Sequence, residues 1–167
     1  VGLGWAYVIT STTVSGTAGN PGWFLSELNI SLSTWGGQLG VDYTEYSLDT
    51  AAWQNYTVPI ECDEEGNHTL AYRSRDLGGN LEDTKYLEFG LDFTAPVSVA
   101  SMSGGNLTIS AADSVSGVEM IYYRVDGGLW TQYDGPLELS GKTNHTVEYH
   151  SVDNAGNSEE VKTLEVE

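Results

Sequence analysis

The sequence predicts an all-β protein: two sandwich domains in tandem, preceded by a short extended strand. Three observations lead there. Shifting the sequence by 77 positions aligns 29–90 with 106–167 without a gap, and 22 of those 62 pairs are identical, so one unit is written twice. Within each copy, short alternating runs are separated by turn residues, and none carries a helical period. Upstream of the repeat, VGLGWAYVIT puts Val1, Leu3, Trp5, Tyr7 and Ile9 on one side of an extended chain, and Gly2, Gly4, Ala6 and Val8 on the other.

Taken in order, the arm spans 1–9 and the first domain 10–92. Asn29-Ile30-Ser31-Leu32 alternates polar with apolar residues. Thr44, Tyr46 and Leu48 share one face of the next strand, matched by Ile121, Tyr123 and Val125 in the second copy. There, Asp126-Gly127-Gly128 supplies the positive φ values of a tight hairpin turn. The first copy has Asp49-Thr50-Ala51 instead, so the expectation of a tight turn does not extend to it. Trp130 and Tyr133, like Trp53 and Tyr56, follow the turn. Leu70 and Tyr72 point inward on a later strand, as do Val147 and Tyr149, and the last strand contributes Leu87 and Phe89, or Leu164 and Val166. Roughly seven strands in under ninety residues is the pattern of an immunoglobulin-like β-sandwich. The second domain spans 93–167, and the join falls near Asp92-Phe93-Thr94-Ala95-Pro96, where proline interrupts sheet pairing.

These residues carry a resemblance. Tyr46-Ser47-Leu48-Asp49 with Trp53 and Tyr56, then His68-Thr69-Leu70 with Tyr72-Arg73-Ser74, Asp76 and Gly79-Asn80, then Thr94-Ala95-Pro96, resemble the tandem Ig-like repeats of prokaryotic (archaeal and bacterial) secreted and surface-layer proteins. So does Gly16-Thr17-Ala18-Gly19-Asn20-Pro21-Gly22-Trp23 at the head of the first copy. The resemblance runs from near Thr12 to the end and implies an extracellular setting. Some repeats of this kind bind calcium between domains. The first copy departs from the pattern at Gly36, where the second has Asp113.

Composition narrows the function. With 24 acidic and 6 basic side chains, the net charge of −18 repels phosphate backbones and anionic lipid, which excludes nucleic acid as a partner. No apolar run approaches the ~20 residues of a membrane-spanning helix. Cys62 is the single cysteine, so no disulfide forms within the chain, and its alternating context reads as a buried, inert thiol. An opening at Val1 reads as a processed mature end. His68 and His145 are equivalent in the repeat, and His150 has Arg73 as its counterpart. No nucleophile motif accompanies them, and neither a phosphate-cradling loop nor a zinc spacing is present, so the reading is non-enzymatic with no cofactor.

Two patterns point to sites. Asp76-Leu77-Gly78-Gly79-Asn80 and Asp153-Asn154-Ala155-Gly156-Asn157 read most simply as turns whose Asp carboxylate accepts backbone N–H bonds. The sharper alternative is calcium, with Asp76, Asp113 and Asp153 as candidate ligands and Glu119 completing the second-domain set. The acidic run Glu61 to Glu65 reads as a solvated loop. Asparagine supplies the other pattern: Asn29, Asn55, Asn67, Asn106 and Asn144 lie in Asn-x-Ser/Thr sequons, five of nine Asn where chance gives about two. N-linked glycans are the expected modification, which places the chain outside the cell.

For the arm, three readings compete: a lengthened first strand of its own sandwich, the remnant of a cleaved signal or lipid-facing anchor, or a strand that leaves its subunit to pair with the sheet edge of a neighbour. Because giver and receiver surfaces differ, the last builds a head-to-tail homopolymer. It predicts an extracellular, cell-surface filament, pilus-like thread or sheath, with Val1, Leu3, Trp5, Tyr7 and Ile9 as the inter-subunit strand. The alternatives are a spacer or adhesion module of a larger surface-layer protein or adhesin, and a carbohydrate-binding appendage using Trp23, Trp35 and Tyr43.

Overall fold

The computed structural model describes residues 7–139 and 144–167, and the regular elements in it are strands. The chain divides into two compact units: one takes residues up to Ala18 together with Gly22–Leu91, the other Gly19–Pro21 with Asp92–Glu167. Val1, Leu3 and Trp5 lie outside the described residues.

The first unit contains β1 (Val8–Ser15), β2 (Trp23–Phe24), β3 (Leu28–Gly36), β4 (Val41–Leu48), β5 (Gln54–Asn55), β6 (Ile60–Cys62), β7 (Gly66–Asp76) and β8 (Lys85–Leu91). One sheet runs in the order β1-β3-β6, the other β2-β8-β7-β4-β5. Alternation fills the space between them. Leu28, Ile30 and Leu32 of β3 and Ile60 and Cys62 of β6 meet Leu70, Tyr72, Phe89 and Leu91 from the facing sheet. Cys62 is a small apolar filler there. Burial, then the negative charges of Asp49, Asp63 and Glu64, push its thiol up to about 11, which keeps it protonated and unreactive.

The second unit repeats the plan with β9 (Val97–Ser103), β10 (Asn106–Ala112), β11 (Val118–Val125), β12 (Thr131–Gln132), β13 (Leu137–Glu138), β14 (His145–Asp153) and β15 (Lys162–Val166). Its sheets run β13-β10-β9 and β12-β11-β14-β15. Leu107, Ile109, Val147 and Tyr149 form the buried centre, with Ile121, Tyr123, Val125, Leu164 and Val166 packed against it. The strand faces expected from alternation are the faces that fill the core in both units.

Two differences separate the units. In the second, β9 and β10 are joined tightly through Gly104 and Gly105. In the first, the equivalent connection carries 16–27, and from it β2 pairs in parallel with β8, Trp23 opposite Gly90 and Phe24 opposite Leu91. This strand was not expected, because it falls in the one stretch where the copies do not align.

The hairpin turn is the other difference, and here the structure departs from the sequence expectation. Ala51 N donates to Leu48 O at 2.9 Å, as Gly128 N does to Val125 O. The first unit therefore keeps the tight turn without its glycines, holding Asp49 at φ 49° and Thr50 at φ 63°. A β-branched residue in the left-handed region costs about 1–2 kcal/mol. Glycine would relieve that strain while adding about 0.4–1 kcal/mol of chain entropy to the unfolded state. Thr50→Gly should accordingly stabilise the first unit by roughly 0.5–1 kcal/mol in a urea titration.

Candidate functional site

The first strand decides what the arm can do. Along β1, Val8 and Thr10 are each 2% exposed, and Thr12 and Val14 continue the inward face. Tyr7 is 63% exposed and Ile9 lies on the outward side, opposite Trp35 of β3, which is 51% exposed. β1 thus gives its even-numbered residues to the core, while the large side chains of the arm are odd-numbered. Because strand side chains alternate with a period of two, a strand continued backwards through the arm would turn its apolar side to water and its glycines to the core.

Both first strands are edges, and both are closed by the same device. In the first unit Glu82 accepts from Thr10 N (2.9 Å), Thr10 Oγ1 (2.6 Å) and Ser74 N (3.1 Å), and pairs with Lys85 Nζ at 2.5 Å. Lys85 Nζ also donates to Thr10 O at 2.6 Å. In the second unit Glu159 accepts from Ser98 N and Oγ and from Ser151 N (2.9 Å) and Oγ (2.6 Å); Lys162 Nζ pairs with it at 2.7 Å and donates to Ser98 O at 2.7 Å. Burial alone would raise both carboxyls. The bonds from Lys162, Ser151 and Ser98 outweigh it and bring Glu159 down to about 2, and Glu82 is lowered in the same way by Lys85 and Thr10. A glutamate and a lysine three residues apart thus take the place of a neighbouring strand, satisfying the N–H and C=O of one edge residue.

A carboxylate cluster lies in the second unit. Asp92, Asp113 and Asp153 each offer an oxygen within 4.8 Å of the others, and Asp92 and Asp153 are fully buried. Asp113 Oδ1 accepts from Val115 N and Gly117 N, Asp153 Oδ1 from Gly156 N and Asn157 N, and Asp92 from Thr94 N and Ser116 N. These donors are neutral amides, whereas three carboxylates at 4.8 Å repel by about 3–4 kcal/mol per pair at an effective dielectric near 20. A hard divalent cation is what such an oxygen set fits. Asp113 and Asp153 come together as expected from sequence. Asp76 is not part of the cluster: it belongs to the first unit, where side-chain and backbone bonds from Asn80 hold its carboxyl below the ordinary range. Its would-be partner position carries Gly36. Glu119 is exposed on β11 and does not join either. The third member is Asp92, just ahead of Thr94-Ala95-Pro96, a stretch whose proline made it read as linker.

The five sequon asparagines are all exposed: Asn29 on β3, Asn55 on β5, Asn67 on β7, Asn106 on β10 and Asn144 just before β14. The paired histidines brace the hairpin turn. His68 Nδ1 lies 2.7 Å from Asp49 Oδ2 and His145 Nδ1 lies 3.0 Å from Asp126 Oδ2, while the other oxygen of each Asp accepts from Thr69 N or Thr146 N. His150 and Arg73, equivalent in the repeat, each pack against the equivalent tryptophan: Arg73 stacks 4.2 Å over Trp53, and His150 meets Trp130 edge-on at 4.9 Å. Trp23, Trp35 and Tyr43 sit on β2, β3 and β4, which belong to two different sheets.

No family model matches the sequence, and no curated protein matches it. Solved structures similar to it include the fibronectin(III)-like modules of Clostridium thermocellum CbhA, at 13% identity and a TM-score of 0.45, covering 93% of this chain and 92% of that one. The D00-D0 domain of Intimin is similar at 11% identity and a TM-score of 0.44, covering 93% and 99%. Scores below 0.5 leave the functional reading to the chain's own residues. Among the described residues, no helix is long and apolar enough to cross a membrane.

Proposed function

We propose that the chain is a non-enzymatic extracellular structural subunit that assembles head-to-tail, each copy giving its amino-terminal strand to a neighbour, into a cell-surface thread, pilus-like filament or sheath. The observation that carries this reading is the phase of β1. Val8 and Thr10 point inward and Tyr7 outward, so the apolar side formed by Val1, Leu3, Trp5, Tyr7 and Ile9 suits a surface other than the adjoining core. Burying such a row is worth ~1.5–3 kcal/mol per large side chain, enough to offset the ordering of a short arm where a groove awaits it. Exposure of all five sequon asparagines supports glycosylation at the surface of such an assembly.

The test is assembly of the chain lacking 1–6, followed by sedimentation and electron microscopy. Polymers should vanish while the monomer keeps its strand circular dichroism; undiminished polymers would sink the reading and leave the spacer or adhesion module in its place.

Calcium fits the same setting as a staple of the second unit, through Asp92, Asp113 and Asp153. At the millimolar affinities of extracellular modules, an excess of ten- to a hundredfold stabilises by roughly 1.4–2.7 kcal/mol. Raising calcium to 10 mM should lift the melting temperature of the second unit and leave the first unchanged; Asp153→Asn should abolish the increment. A melting temperature indifferent to calcium and chelator would return the cluster to the turn reading.

A further inference from the structure

The duplication shows where a donated strand would sit. In the first unit, β2 occupies the open side of the sandwich next to β8: Gly90 N donates to Gly22 O at 2.8 Å, Phe24 packs against the core, and the Trp23 ring covers Gly90 from outside. The second unit has no such strand among its described residues. Its equivalent position is a groove of about 260 Å³ beside β15, lined by Met102, Gly105, Leu139, His145 and Val166 with Glu167 at the rim. His145 is nine-tenths buried there; its Nε2 has no hydrogen-bond partner among the described residues, and Gly141, the repeat equivalent of the Glu64 whose carbonyl lies 2.8 Å from His68 Nε2, falls outside them.

The other long edges are partly occupied. Thr10 on β1 and Ser98 on β9 have both backbone groups taken by the Glu82–Lys85 and Glu159–Lys162 pairs, and β8 is covered by β2. β15 is the last strand of its sheet, and among the described residues no Glu–Lys pair spans its outer edge.

We propose that residues Val1–Tyr7 of one copy add in parallel to β15 of the second unit of another copy, taking the place that β2 holds in the first unit. This rests on the strand-exchange reading above and names its acceptor. Chemistry favours the match. The seating differs from that of β2, because the repeat equivalent of Gly90 is Glu167, so the outer position that Trp23 uses meets a side chain where the first unit has none. An incoming strand must therefore be small on its outer side and large on its inner side. Gly2, Gly4 and Ala6 meet the first demand, and Leu3 and Trp5 the second, entering the groove toward Met102, Leu139 and Val166. Its backbone groups complete the β15 edge.

The experiment is photo-crosslinking of the full chain with p-benzoylphenylalanine in place of Trp5, mapped by mass spectrometry on mixed isotope-labelled and unlabelled protein. Crosslinks between labelled and unlabelled copies at 102–105, at Leu139 or at 164–167 are the expected result. Crosslinks between copies that fall elsewhere would overturn the acceptor and leave strand exchange standing. Crosslinks confined to single copies, or none, would overturn both. As a second readout on the full chain, Glu167→Trp should slow assembly at least tenfold without lowering the melting temperature; assembly at the unaltered rate counts against the groove.

Discussion

Glu159→Ala should cost the second unit about 3–5 kcal/mol, because it removes a buried carboxylate that several buried donors share, while its partner Lys162 is half-exposed. Glu159 is the shared acceptor for Ser98 and Ser151, each through backbone and hydroxyl, and its side chain is 7% exposed. Its loss leaves buried donors unsatisfied, at about 1–3 kcal/mol each, and strands Lys162 against Ser98 O. For a domain of this size the change corresponds to a fall in melting temperature of roughly 12–40 °C. Amide exchange in β9 should rise first, since that edge strand loses its tie to the opposite sheet. Glu88→Gln, on an exposed position of β8, is the control and should stay within about 0.5 kcal/mol.

Acid should reproduce part of this effect in the unaltered chain. The folded carboxyl titrates at about 2 against an ordinary value of 4.5. A depressed folded value means the stabilisation is complete above pH 4.5 and is lost as pH falls from there toward 2. The difference is worth roughly 3 kcal/mol, in line with the lower end of the substitution cost. Glu82 adds a contribution of the same sign in the first unit. Glu159→Gln should flatten the acid limb of the second unit and leave that of the first in place. An acid limb unchanged by the substitution would assign the loss of stability to other carboxylates.

The strands were legible because each copy alternates cleanly and the two copies check each other. Leu70 and Val147, or Tyr72 and Tyr149, had to face inward in both or in neither. Asp113 and Asp153 were legible as oxygen donors, but Asp92 was not. Its partner in the repeat falls outside the gapless alignment, and the proline after it suggested a linker. Glu82 with Lys85 and Glu159 with Lys162 recur identically at a spacing of three. That recurrence is a visible signal, yet charged residues near a strand read as solvated surface until their partners across the sandwich are known. The turn at Thr50 shows the opposite limit: surrounding pairing, with Asp49 N bonded to Thr69 O, holds a conformation the local residue disfavours. The phase of the arm could not be read at all without knowing that Val8, and not Ile9, enters the core.

Gly90→Val should unseat β2 and destabilise the first unit by roughly 3–4 kcal/mol, leaving the second unit untouched. A Cβ at Gly90 would stand 2.4–2.8 Å from three atoms of the Trp23 ring, so the ring has to leave. Overpacking of this kind costs about 1–3 kcal/mol, and Phe24, carried out of the core on the same short strand, forfeits up to about 1.5–3 kcal/mol more. Gly90 is not among the positive-φ glycines, so the cost is steric and depends on its neighbour. A double-mutant cycle separates the two. With Trp23→Ala in place, Gly90→Val should lose most of its cost, and a coupling below about 0.5 kcal/mol would show that the ring is not what Gly90 accommodates.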